Sequence, residues 1–323
     1  MSGAASGAAS GAAPPDQRGA LIADALEGLC RPAKSLPCKW LYDAAGARLF
    51  EEITRLPEYY PTRTEHGIYA AHGPAMAQRI GPGAAVVELG PGDGGKAVQL
   101  LGLLRAPAAY VPVDIAAPWL EAAAARVAAA VPGLPVHPVV TDFTQRFALP
   151  PALGAAPRLG FFPGSTIGNF APGEAAAFLA GLRATLGPGA RLLIGADLVK
   201  DERRLIAAYD DAAGVTAAFN LNLLRRLNRE AGADFDLSAF RHRAVWNAEA
   251  ERIEMHLVSL RDQVVTLAGR RIAFRAGEAI HTEDSHKYRI EGFRRLAAAG
   301  GWREEAVWTD AEGLFSVWLL SAT

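Results

Sequence analysis

The chain has 323 residues, half of them hydrophobic, with 33 Lys+Arg against 34 Asp+Glu. That length suggests about two domains and a core that needs no disulfide or metal staples. The near-zero charge excludes a broad basic field for nucleic acid, and the lack of any run of about 18 apolar residues predicts no membrane span.

The hydrophobic half includes 66 alanines, which favour helices but bury little area. Alanine-faced helices packed on a flatter element are therefore expected. Residues 1–17 open with repeats of SGAA and are expected to form a disordered low-complexity tail. No charged stretch precedes an apolar core there, so no signal peptide is expected. Cys30 and Cys38 are too few for a disulfide framework and read as cytosolic thiols, which makes a cytoplasmic location the expectation. No association helix stands out, and a monomer is expected.

Leu21, Ile22, Ala25, Leu26 and Leu29 share one helical face. A dense aromatic segment follows, with Trp40, Tyr42, Phe50, Tyr59 and Tyr60. Pro57 and Pro61 predict a loop at Glu58–Tyr60, suited to lining a pocket. From residue 65 the pattern alternates. Helices are expected at 65–79, 96–105, 117–130 and 173–186, and strands at AAVVEL, AYVPVDI, PVHPVV, RLGFF and RLLIGADL. That rhythm predicts a parallel sheet with helices on both faces. Residues 201–285 break it with one long helical stretch, then antiparallel strands at RIEMHLVSL and QVVTLAGRRIAFR. A helix at YRIEGFRRLAAAG and two closing strands complete the chain.

VVELGPGDGGK ends a strand and opens a helix. Gly90 and Gly92 permit a tight turn and close approach to a ligand, and helix-opening amides favour polar or anionic groups. Asp114 ends the next strand, 22 residues after Gly92, where an acid can hold ribose hydroxyls. Asp142 and Phe143 end the third, where an acid and an aromatic ring can hold adenine. Two cofactor classes compete for this loop. A dinucleotide would place its pyrophosphate against Asp93, whereas the sulfonium and ammonium of S-adenosylmethionine are stabilised by Glu88 or Asp93. The acids and the two closing strands favour a methyltransferase over a dehydrogenase.

SLPCKWLYDAAGARLFEEITRLPEYYPTRTE, FFPGSTIGNF, GADLVKD, AYDDAAGVTAAFNLNLLRRLN, RIEMHL and TEDSHKY together resemble the histidine Nα-methyltransferases of ergothioneine biosynthesis. The resemblance runs from about residue 35 to the C-terminus. It implies an α/β fold: a Rossmann-like class I methyltransferase sheet, mostly parallel with an antiparallel last strand, and an interleaved α+β substrate domain. The sheet domain would comprise 65–200 and 286–323, and the substrate domain 18–64 and 201–285. The implied activity is trimethylation of the α-amino group of L-histidine to hercynine with S-adenosylmethionine.

By resemblance, Gly90, Lys96, Asp114, Asp142 and Phe143 are cofactor positions, beside Glu88 and Gly92. Tyr59, Asn169, Tyr209, Glu283 and Ser285 are substrate positions, with Met255 beside the imidazole. Tyr42, Gly164 and Asn169 would lie near the reacting amine. Tyr59 and Tyr209 could donate to the substrate carboxylate, while Glu283 and Ser285 satisfy the imidazole nitrogens. Read alone, Tyr209 fits a helix core or rim, and Lys96 a solvated first-turn lysine. His281, Glu283, Asp284 and His286 lack metal-site spacing, so no metal is expected. The alternatives are a methyltransferase for another amino acid or small amine, and a non-catalytic S-adenosylmethionine-binding protein.

Overall fold

The computed structural model describes residues 15–323. Residues 1–14, most of the expected tail, lie outside the described residues, while Pro15–Gln17 already belong to the first helix. The chain opens with α1 (Pro15–Leu29), β1 (Lys34–Ser35), α2 (Ala44–Ile53) and α3 (Tyr60–Ile80). Asp43 caps α2 by accepting from the Gly46 amide at 2.7 Å. The loop expected at Glu58–Tyr60 ends earlier than its prolines suggest. Tyr60 starts α3 and Pro61 sits in its first turn, where a missing N–H costs nothing.

The alternating region gives β2 (Ala85–Leu89), α4 (Gly95–Leu103), β3 (Ala109–Asp114), α5 (Ala117–Ala130), β4 (Val139–Val140), β5 (Arg158–Phe162), α6 (Pro172–Leu186) and β6 (Arg191–Asp197). The expected strand at PVHPVV shrinks to two residues and an isolated bridge from Tyr110 to Val136. Pro135 and Pro138 bring no N–H to a ladder there. The single helix expected after residue 201 is two, α7 (Glu202–Tyr209) and α8 (Val215–Ala231). Asp211 separates them: its carboxylate accepts from the amides of Val215 at 3.0 Å and Thr216 at 2.7 Å.

Next come β7 (Phe240–Asn247), β8 (Arg252–Ser259), β9 (Gln263–Leu267), β10 (Arg270–Phe274), β11 (Ala279–His286), α9 (Ile290–Ala299), β12 (Trp302–Thr309) and β13 (Phe315–Ala322). Strands β7 and β11 carry charges and histidines and escaped the hydrophobic pattern.

The main sheet has seven strands in the order β12-β13-β6-β5-β2-β3-β4. Its centre is parallel, and β13 inserts antiparallel beside β6. This is the expected Rossmann-like arrangement. Successive β2 residues feed opposite layers: Val87 and Leu89 pack toward α6 and α9, and Val86 toward α3 and α4. Burial on both faces explains the unbroken apolar strands. A separate four-stranded sheet, β1-β11-β8-β7, packs with α1, α2 and α8 around a third core. Helix α3 crosses between cores, with Tyr60 in the third and Tyr69 under the main sheet. No helix among the described residues is long and apolar enough to cross a membrane.

Candidate active site

A cavity of about 1230 Å³ lies where the carboxyl ends of β2, β3 and β5 face β8, β11, α2 and α8. Ligands of open α/β sheets bind at that edge.

At the sheet end, Gly90, Gly92 and Gly94 hold φ of +65°, +55° and +75°. Only glycine enters that region without strain, so the loop turns sharply and leaves its amides near the cavity. Phe143 packs on it: a Cβ added at Gly90 would stand 3.7 Å from the ring. Phe143 is also held edge-on by Phe162 and Phe178. Asp114 lines the cavity from the end of β3, with Oδ1 accepting the Ala116 amide at 2.8 Å. Asp142 does not line the wall. Its Oδ1 accepts from the amide and hydroxyl of Thr144, closing the turn that presents Phe143. Asp93 lines the rim but pairs with Arg126.

Glu88 is the most telling acid here. It is fully buried and accepts from the Tyr110 hydroxyl through Oε2, while Oε1 has no partner. Burial pushes its carboxyl up to about 8. A desolvated carboxyl with an open oxygen on a cavity wall is fitted to a ligand cation. The ammonium and sulfonium of S-adenosylmethionine supply such charge.

Lys96 occupies the first turn of α4, and its ammonium lies 2.5 Å from Glu65 Oε2. Glu65 escaped the sequence reading, although it is fully buried. Besides Lys96, it accepts from the Tyr69 hydroxyl at 3.1 Å and the Gly164 amide at 2.9 Å. It thereby ties the glycine loop to the turn after β5. Its only signal in the sequence is an acid on an otherwise apolar helix face.

That turn carries Gly164, Ser165 and the 3-10 segment Thr166–Asn169. Gly164 has φ +81° and Ser165 φ +58°. The Asp197 amide donates to Ser165 Oγ at 2.9 Å, which holds the left-handed serine. Gly168 abuts β11 so closely that a Cβ would meet the His286 carbonyl oxygen at 2.7 Å. Asn169 is thus delivered to the cavity wall by a turn fixed at both ends.

The opposite wall is aromatic. Tyr42, Phe50, Tyr59, Tyr209 and Phe219 all line the cavity. Tyr42 meets Phe50 and Phe219 edge-on at 5.6 and 5.4 Å, and Tyr59 meets Tyr209 at 6.2 Å. Burial raises the phenols of Tyr42 and Tyr59 well above their ordinary value, so both are neutral donors. Phe50 belongs to the dense aromatic segment of the sequence, whereas Phe219 carried no signal there, because phenylalanine on a helix reads as core.

Strand β11 supplies Glu283 and Ser285, and Met255 faces Glu283 from β8. The register slips between His281 and Glu283, and such a bulge re-aims side chains. Glu283 is buried, Oε2 has no partner, and desolvation raises its carboxyl to about 7. The Lys287 charge acts against that rise. Asp284 is engaged elsewhere, by His281 and Arg252.

Below the tyrosines lies a buried network absent from the sequence reading. Asp197 accepts from Tyr60 Oη at 2.6 Å and from Lys200 at 2.6 Å, and pairs with Lys287 at 2.9 Å. Lys287 also donates to Tyr209 Oη and Ser285 Oγ, each at 2.8 Å.

The cavity therefore has a cation-seeking end on the glycine loop and a polar, aromatic end between the two sheets. Comparison with known proteins agrees with that division. A family model described as histidine-specific methyltransferase, SAM-dependent, matches residues 21–322. The chain is 46% identical over 303 residues to histidine N-alpha-methyltransferase of Mycolicibacterium smegmatis, covering 92% of this chain and 94% of that protein. It is 43% identical, with the same coverage, to the protein of that name from Mycobacterium tuberculosis. It is 33% identical to ergothioneine biosynthesis protein 1 of Neurospora crassa, over 85% of this chain and 32% of that one. The chain belongs to the histidine-specific, S-adenosylmethionine-dependent methyltransferase family.

Proposed function

We propose that this chain trimethylates the α-amino group of L-histidine, giving hercynine for ergothioneine biosynthesis, and does so as a cytoplasmic monomer. Family membership supplies the reaction class, and the observation that carries the acceptor is Glu283. A buried carboxyl with one unpartnered oxygen, next to Ser285 and Met255, calls for a ligand N–H on a flat, partly apolar ring. The imidazole of histidine has that form.

S-adenosylmethionine supplies an electrophilic methyl carried on sulfonium. Glu88 and Lys96 complement its ammonium and carboxylate, Asp114 its ribose, and Phe143 its adenine. Asp142 supports Phe143 by closing its turn. The acceptor amine must be neutral to attack. The α-amino group of a polypeptide titrates near ~7.7–8.0, and the carboxylate of a free amino acid raises that value, so the neutral fraction near neutrality is small and cations nearby increase it. The chain's own work is orientation and exclusion of water, which can contribute up to ~7–11 kcal/mol. Asn169 can accept from the amine and donate to the carboxylate. Tyr59 donates to the carboxylate from its buried hydroxyl. Tyr42 and Phe50 face the growing ammonium, whose charge aromatic faces stabilise. The substrate unit is built from 18–64 and 201–285, and the cofactor unit from 65–200 and 286–323.

Calorimetric titration of amino acids into the chain saturated with S-adenosylhomocysteine tests this assignment. Histidine is expected to bind and phenylalanine to bind at least roughly tenfold more weakly, since it leaves Glu283 and Ser285 unpaired. Equal affinity for the two would overturn the assignment.

A further inference from the structure

Lys287 is 2% exposed and does not line the cavity, yet it touches two residues that do. Its ammonium donates to Tyr209 Oη and Ser285 Oγ, each at 2.8 Å, and forms an ion pair with Asp197 Oδ2 at 2.9 Å. Buried behind the cavity wall, the lysine acts through its partners. Tyr209 and Ser285 also bond to each other at 2.7 Å.

Hydrogen counting constrains this triangle. A hydroxyl has one hydrogen and two acceptor lone pairs. Lys287 occupies a lone pair on each oxygen, and the mutual bond uses one of the two hydroxyl hydrogens. A single hydroxyl hydrogen is left for the cavity. If Tyr209 donates to Ser285, both serine lone pairs are filled and Ser285 can only donate to the substrate. In the reverse arrangement Ser285 keeps an open lone pair and calls for a substrate N–H. With Glu283 accepting the other N–H, the ring would then have to be a cation.

Charge decides between them. A cationic ring at Ser285 would stand one hydroxyl away from the Lys287 ammonium. The neighbours do not offset that repulsion. Asp197 is shared by Lys287 and Lys200, with Tyr60 as a neutral donor, so that trio carries net positive charge. Asp284 is bound to Arg252 and His281. Glu283 alone faces the ring with an acid, and it does so from the other nitrogen.

We propose that Lys287 is a specificity-determining positioning residue. It fixes Tyr209 as donor to Ser285 and Ser285 as donor to the substrate, so that the site takes the neutral imidazole, bare nitrogen on Ser285 and N–H on Glu283. The inference rests on histidine as the acceptor. It also assigns the carboxylate to Tyr59 and Asn169, because the Tyr209 hydrogen is engaged.

The test uses the full chain with S-adenosylhomocysteine and ring-15N histidine, followed by NMR from about pH 8 down to pH 6, below the ordinary histidine pKa of ~6.5. Bound histidine is expected to keep one protonated and one bare ring nitrogen throughout. Two protonated nitrogens in the bound ring at pH 6 overturn the proposal. Absence of bound histidine even at pH 8 instead overturns the histidine assignment. A double-mutant cycle adds a second readout. Lys287→Met and Ser285→Ala are each expected to raise the histidine KM roughly tenfold, and the pair no more than the larger single change, with S-adenosylhomocysteine affinity kept within about twofold. Additive losses, or a parallel loss of cofactor affinity, contradict it.

Discussion

Two buried carboxyls, Glu88 and Glu283, define the two ends of the site, and both are raised by desolvation, to about 8 and about 7. A raised acid contributes stability that is present below its unfolded value and lost as pH rises through its folded value. The ligand-free protein should therefore lose stability between about pH 4.5 and 8. Glu88→Gln removes part of that loss, by roughly 3 kcal/mol at pH 7 on linkage, while weakening cofactor binding. Thermal unfolding across that range checks it; a pH-independent difference between variant and parent would contradict it. An ionised Glu283 accepts an imidazole N–H more strongly than a neutral carboxyl does, so histidine affinity should climb as pH rises through 7. In Glu283→Ala that climb should shrink to the part set by the imidazole's own titration near ~6.5, with histidine KM raised at least roughly tenfold and S-adenosylhomocysteine affinity unchanged. These two glutamates were legible as an acid in the glycine loop and as part of the TEDS motif. Glu65 and Lys287 lie within the PTRTE and TEDSHKY segments but carried no assignable role, because the sequence does not show which protein groups a charged residue serves.

The turn after β5 joins both ends of the cavity at the level of elements. Glu65 on α3 grips Lys96 and the Gly164 amide, and Gly168 seats the turn against β11. Glu65→Ala removes one partner of a buried pair, so a loss of about 3–5 kcal/mol in unfolding free energy is expected, measured by denaturant titration. Gly168→Ala is expected to displace Asn169, because the obstructing atom is backbone and cannot yield. It should lower kcat at least roughly tenfold with cofactor affinity retained; an unchanged kcat would show that the turn tolerates the shift. The helices between the sheet strands were legible as alanine-rich stretches separating apolar runs. Strand β11 was not, since its inward residues are polar and meet a cavity, so the alternation that marks a strand is missing. Pro61 misled in a simpler way: the same ring that breaks a helix interior is favoured in a first turn.

At the scale of the whole molecule, net charge is −1 and the site is built from aimed, buried groups. Histidine capture should then depend little on screening. Between about 0.05 and 0.5 M salt, kcat/KM is expected to change less than roughly threefold, and a steep fall would reveal steering charge. The parallel sheet was legible because its apolar strands and the spacing of glycine loop and acids follow from burial on both faces. The meeting of residues 42, 59, 169, 209 and 283 in one cavity was legible only through resemblance, since no local pattern joins segments so far apart. The central claim is tested most directly by incubating the purified chain with histidine and S-adenosylmethionine and analysing the product by mass spectrometry and proton NMR. The account predicts a product heavier by three methyl groups, all on the α-nitrogen, with the imidazole unmodified. No methylated histidine, or methyl groups on the ring, would contradict it.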